Sequence, residues 1–188
     1  SRWYGSGGSV MGVLRVRQSG FNLRSKLNEL DYDKIPYEKM PSGSVIQYVL
    51  APASQVSARY TTTSSTPANT GYYVEISPRF ANSHIYIEGV LANYHGNNGY
   101  CYNRLKNATS GEWVTDNGTA ATWTYASGNN TGWYANPFQF RDAPGSTEKQ
   151  TYQIWGYTGG SLAYWGWSQS PASGTRNFNN MYAFEVKQ

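Results

Sequence analysis

Cleavage of a glycosidic bond needs two carboxylates, one as acid and one as base or nucleophile. Beyond Met40 the acids are Glu75, Glu88, Glu112, Asp116, Asp142, Glu148 and Glu185. Each stands beside a turn signal or at an outward strand position. Only Glu112 and Asp116 are close in sequence, and they flank a loop, so they read as surface acids and no catalytic residue is assigned. The stretch between His95 and Cys101 contains Gly96-Asn97-Asn98-Gly99, a composition that predicts a hairpin turn. That turn would bring the two side chains together without the orienting acid and oxyanion donors a nucleophilic site requires. Cys101 reads instead as a small buried apolar residue. His84 or His95 with Asp116 is too sparse for a metal site, so neither metal nor cofactor is expected.

The chemistry this sequence offers in quantity is aromatic. Seventeen Tyr, seven Trp and six Phe make 16% of the chain, against 14% charged residues. Sugar rings present apolar C–H faces that stack on flat indoles and phenols. The expected glycan platform is Trp113, Trp123, Trp133, Tyr134, Trp165 and Trp167, interspersed with Asn, Gln and Ser donors. Trp165 and Trp167, separated by Gly166, would share one face of a strand. The same rings could fill a core or an interface between identical copies, and from sequence both uses stand open.

Length and charge bound the rest. A chain of 188 residues can bury a full core and needs no disulfide, which a single cysteine could not supply in any case. The net charge is +4, and residues 1–40 carry seven basic and four acidic residues, so most of the excess lies there. Arg2, Arg15, Arg17, Arg24 and Lys26 all precede the first acid, Glu29, and form a cationic arm. Five charges over this length are too dilute for a nucleic-acid site, so a protein partner is expected and nucleic acid is not. No apolar run or signal core directs the chain to a membrane, which makes assembly in a cytoplasm the expectation.

These residues must be positioned by strands. Leu23, Leu27 and Leu30 mark one short amphipathic helix within the arm, stopped before Pro36. After Met40 the texture changes to short alternating runs divided by Gly, Asn, Pro, Ser and Thr, and a domain boundary is placed at Pro41. Strands are predicted over 44–50, 71–76, 84–91, 99–105, 120–125, 136–141, 151–157, 162–167 and 181–186, while 60–71 reads as a loop or frayed edge. Alternation assigns Ile85, Ile87 and Leu91 to the core, and likewise Tyr182, Phe184 and Val186. The fold class is therefore all-β: an antiparallel, jelly-roll-like β-sandwich knob over 41–188, preceded by an extended arm, 1–40, with one short helix.

Four anchors add a resemblance. Pro-Ser-Gly-Ser-Val-Ile-Gln at 41–47, Gly-Tyr-Tyr-Val-Glu-Ile-Ser-Pro-Arg-Phe at 71–80, Asn-Pro-Phe-Gln-Phe-Arg-Asp-Ala-Pro-Gly-Ser at 136–146 and Met-Tyr-Ala-Phe-Glu-Val-Lys-Gln at 181–188 span nearly all of the knob. Together they resemble a C-terminal domain of tail-fibre and other surface proteins of tailed phages, notably marine and cyanobacterial ones. The resemblance implies a trimeric β-sandwich knob on a virion and brings no catalytic or ligand residues. Its Trp- and Asn-rich middle, 111–132, departs from the family, and residues 1–40 read as an arm and not a shaft. Two functions follow as expectations, neither enzymatic. One is a homotrimeric tail-fibre or appendage knob that binds host-surface polysaccharide. The other is a capsid decoration protein, docked on other virion proteins through the arm residues Arg2, Arg15, Arg17, Leu23, Arg24, Lys26, Leu27 and Leu30. Either would sit on the virion surface.

Overall fold

The computed structural model describes residues 36–52, 60–95, 99–114, 122–125, 132–159, 161–166 and 180–188. The chain divides into two compact units, Ser1–Lys39 and Met40–Gln188. In the first, a 3-10 turn over Tyr37–Lys39 is described; the expected helix around Leu23, Leu27 and Leu30 and the basic residues Arg2 to Lys26 lie outside the described residues.

The second unit is built from strands β1 (Val45–Leu50), β2 (Tyr60–Thr62), β3 (Ala68–Ile76), β4 (His84–His95), β5 (Tyr100–Asn107), β6 (Thr122–Tyr125), β7 (Gly132–Asp142), β8 (Gln150–Thr158), β9 (Ala163–Trp165) and β10 (Asn180–Val186). Nine coincide with the predicted runs. The tenth, β2, is a three-residue strand at the margin of its sheet, within the stretch read as a loop or frayed edge.

All pairs are antiparallel and fall into two sheets. One runs β1-β10-β4, with β7 along the far side of β4 and β9 followed by β2 beside its C-terminal end. The other runs β3-β8-β5-β6. Setting aside the short β2 and β9, the eight remaining strands take the order first, eighth, third, sixth facing second, seventh, fourth, fifth. This is the strand order of a jelly roll, the double Greek key found in viral capsid and lectin domains.

This topology overturns the predicted hairpin at 96–99. β4 belongs to the larger sheet and β5 to the smaller, so the chain crosses between layers there instead of pairing the two strands. The crossing turns Cys101 into the core, where it is buried and its thiol is pushed well above the ordinary range by desolvation.

The core lies between the layers and includes Val74, Ile76, Ile85, Ile87, Leu91, Leu105, Tyr152, Ile154, Trp165 and Ala183. Ile85, Ile87 and Leu91 are buried as alternation required. The last strand is inverted relative to expectation. β10 buries Met181, Ala183 and Glu185, while Tyr182, Phe184 and Val186 face outward. The register explains it, because Met181, Ala183 and Glu185 stand opposite Gly89, Ile87 and Ile85, and cross-strand partners share a face. The Glu185 carboxylate tolerates burial because Arg79 N–H donates to both of its oxygens at 2.9 Å, Phe80 N–H donates at 3.1 Å and the Gln47 amide adds another donor. It thereby ties β10 to the turn after β3.

Two buried polar clusters cross the layers. In one, Asn103 of the smaller sheet donates to Asn93 Oδ1 of the larger at 3.1 Å, Asn136 donates to the same oxygen at 3.2 Å, and the Trp165 indole N–H donates to Asn103 Oδ1 at 2.6 Å. In the other, Asp142 accepts from Tyr152 Oη at 2.9 Å and from Asn107 Nδ2 at 3.1 Å. Burial, with Asp142 beside it, raises the Tyr152 phenol far above its usual range.

Candidate functional site

The outer face of the smaller sheet carries the aromatic surface. Along β5, Tyr100, Tyr102, Arg104 and Lys106 alternate with buried Cys101, Asn103 and Leu105, so the first set points outward. Arg104 is the one member of that set that other side chains cover. Along β8, Gln153, Trp155 and Tyr157 alternate with buried Tyr152, Ile154 and Gly156. The β5–β8 register then sets Tyr102 beside Tyr157, Arg104 beside Trp155 and Lys106 beside Gln153.

The result is a run of rings followed by two cations. Tyr125 stacks on Tyr100 with centroids 4.5 Å apart, Tyr100 on Tyr102 at 5.6 Å and Tyr102 on Tyr157 at 4.6 Å. Next along the strands, the Arg104 guanidinium lies 3.8 Å from the centroid of Trp113, which meets Trp155 edge to face at 5.5 Å. Lys106 Nζ sits 4.9 Å from the Trp155 ring and 5.3 Å from Trp113. Trp113, which follows β5 in the chain, reaches this face because its backbone bridges to Lys106 of that strand. Burial raises the Tyr157 phenol, with the nearby charge of Arg104 pulling the other way.

Among the described residues no carboxylate pairs with either cation, and the recorded ion pair is Lys149 with Glu75. Arg104 is 8% exposed, and its Nε–H and the Trp155 indole N–H are buried without an acceptor. Each such unmet donor costs about 1–3 kcal/mol.

The sequence-predicted platform is only partly here. Trp113 lies on it. Trp165 does not: it is fully buried between the sheets, where the absence of a side chain at Gly156 makes room for its indole. Tyr134 is half-buried on the inward row of β7 with Asn136 and Phe138, opposite buried Asn93. Trp123 pairs through its backbone with Tyr102 in β6, but its side chain, that of Trp133 and all of Trp167 lie outside the described residues. The period-two series Tyr100-x-Tyr102-x-Arg104-x-Lys106 is the signal that could have revealed the face from sequence.

A second outward surface lies on the larger sheet. Tyr48 and Leu50 are 55% and 62% exposed on the edge strand β1. Phe184 stacks flat on Tyr86 at 5.2 Å, and Tyr182 meets Tyr48 at 5.3 Å. Beside them an open depression of about 500 Å³ is lined by Glu88, Val90, Pro137, Gln139, Asn180 and Tyr182. Within it the Tyr182 hydroxyl, at 2.8 Å, and the Gln139 amide both donate to the Glu88 carboxylate.

The described acids of the knob with recorded side-chain partners each hold a structural contact. Glu75 is bound to Lys149 and Thr151, Glu88 to Tyr182 and Gln139, Asp142 to Tyr152 and Asn107, and Glu185 to the turn after β3. Among the described residues no group of three or more His, Cys, Asp or Glu side chains gathers as a metal site would require. No protein-family model matches the chain, and no curated protein matches its sequence.

Proposed function

We propose that this protein is a non-enzymatic virion surface module, a trimeric tail-fibre or appendage knob that binds host-surface glycan on the outer face of its smaller sheet. The observation that carries the binding reading is the unbroken run of rings on one sheet face, with Tyr125 exposed and Tyr100, Tyr102 and Tyr157 partly exposed. Phenols stacked on one another across neighbouring strands leave their C–H edges for contact, in a row at the strand spacing of about 4.8 Å. A saccharide chain laid across the strands meets them in series.

A fold alone fixes no function, and the virion setting rests on the resemblance described above, in keeping with a jelly roll. The two outer faces divide the uses that composition left open. The smaller sheet serves the ligand, and the apolar surface of Tyr48, Leu50, Tyr86 and Phe184 serves contact between copies. The cationic segment within residues 1–40 serves attachment to the particle.

The test is retardation of the protein in gels containing polysaccharide from candidate host cells. Tyr102→Ala and Tyr157→Ala should each weaken retention about tenfold, the loss of one stacking contact, while the thermal midpoint stays within a few degrees. Retention unchanged in both variants would remove this face as the binding site.

A further inference from the structure

We infer that the ligand of this face is an acidic glycan, whose carboxylate or sulfate group docks at Arg104 and Lys106 while neighbouring sugar rings stack on Trp155, Tyr157 and Tyr102. This inference rests on the glycan-binding reading and adds the charge of the substrate.

The argument begins from an imbalance. β5 sends two adjacent outward positions to the same patch as cations, and among the described residues no carboxylate answers either. A cation-π contact with Trp113 occupies the guanidinium face but uses none of its N–H donors, which lie in the guanidinium plane. The Arg104 Nε–H and the Trp155 indole N–H, on directly paired residues, are both buried without an acceptor. An oxyanion brought against this patch is neutralised by the Arg104 guanidinium and the Lys106 ammonium together. Water or a neutral hydroxyl satisfies the donors but leaves the charge unopposed.

The surroundings favour a saccharide over a nucleic acid. Single-stranded nucleic acid is held by a cationic groove that follows a phosphate at every nucleotide. Here the two cations sit at one end of a neutral row, with Tyr100, Tyr102, Tyr125 and Tyr157 on one side and Gln153 on the other. One charged group among neutral, stackable rings is the pattern of a glycan carrying a uronic acid or sulfate in its repeat.

The experiment measures retention of the full chain in gels containing polygalacturonate, fully methyl-esterified polygalacturonate, dextran sulfate, unmodified dextran or an oligothymidylate. Polygalacturonate or dextran sulfate should bind about tenfold more tightly than its uncharged counterpart, a preference that shrinks in high salt. Lys106→Gln, which lies on the surface, and Arg104→Gln should each erase most of that preference. Arg104→Lys, which keeps the charge, should restore part of it. Equal binding of the charged and uncharged polymers would overturn the charge assignment and leave the glycan platform standing. Retention by none of the four polysaccharides would overturn both readings. Tighter binding of the oligothymidylate, lost in the same variants, would replace the glycan with nucleic acid.

Discussion

The indole nitrogen of Trp165 donates to Oδ1 of Asn103 at 2.6 Å, joining a strand of the larger sheet to one of the smaller through the middle of the core. Replacing Trp165 with Phe removes both volume and donor and leaves the Asn103 oxygen short of a partner. The variant should lose about 2–4 kcal/mol of stability, read as a lowered urea midpoint. An unchanged midpoint would show that the contact contributes nothing.

Gly156 is the other half of that arrangement. A Cβ at this position would stand 2.5 Å from the Trp165 ring and 2.9 Å from Thr70 Cγ2. Gly156→Ala should therefore cost about 1–3 kcal/mol through overpacking. In a Trp165→Phe background the same change should cost less, since the smaller ring can retreat. A double-mutant cycle in urea measures the coupling, and strict additivity would contradict the contact.

Glu185 is expected to be more sensitive than a strand-end acid usually is. Glu185→Ala strands the Arg79 and Phe80 N–H groups beside a cavity and leaves the Gln47 amide only its bond to the Ser77 carbonyl, and should cost about 3 kcal/mol. Glu185→Gln retains one oxygen acceptor and should fall between the wild type and the alanine variant. Guanidinium denaturation of all three proteins orders them.

Cys101 should be inert to a disulfide reagent such as Ellman's in the folded protein at mildly alkaline pH and should react stoichiometrically on unfolding, because burial holds its thiol protonated. The sign of the linkage follows. With the folded thiol raised above the unfolded value of about 8.5, its contribution to stability is complete below that pH and is lost as pH rises beyond it. Cys101→Ala should flatten this part of the pH profile, and rapid labelling of the native protein would disprove the burial.

Self-association is expected to depend on the outer face of the larger sheet. Light scattering should give about three times the chain mass of 21.0 kDa, and Tyr48→Ser combined with Leu50→Ser should reduce it toward one chain. A wild-type protein that is monomeric at micromolar concentration would refute the trimer.

How much of this was legible before folding depends on what each residue's chemistry constrains locally. The strands were legible, because alternating runs bounded by Gly, Asn and Pro pick out extended segments whatever the chain does elsewhere. The inward row of β4 was legible too, since Ile85 and Ile87 alternate with Tyr86 and Glu88 and the polar member breaks the tie. On β10 both rows carry apolar residues, so the pairing with β4 decided the face, and backbone donors in a distant turn made a buried Glu185 affordable. The layer crossing between β4 and β5 was hidden because a Gly-Asn-rich connection is compatible with a hairpin or a crossover, and the choice belongs to the sheet as a whole. Trp165 went into the core and Trp113 out beside Arg104 for the same reason. A tryptophan's type fixes what it can stack on, but the layer that covers it is set by strands far away in sequence.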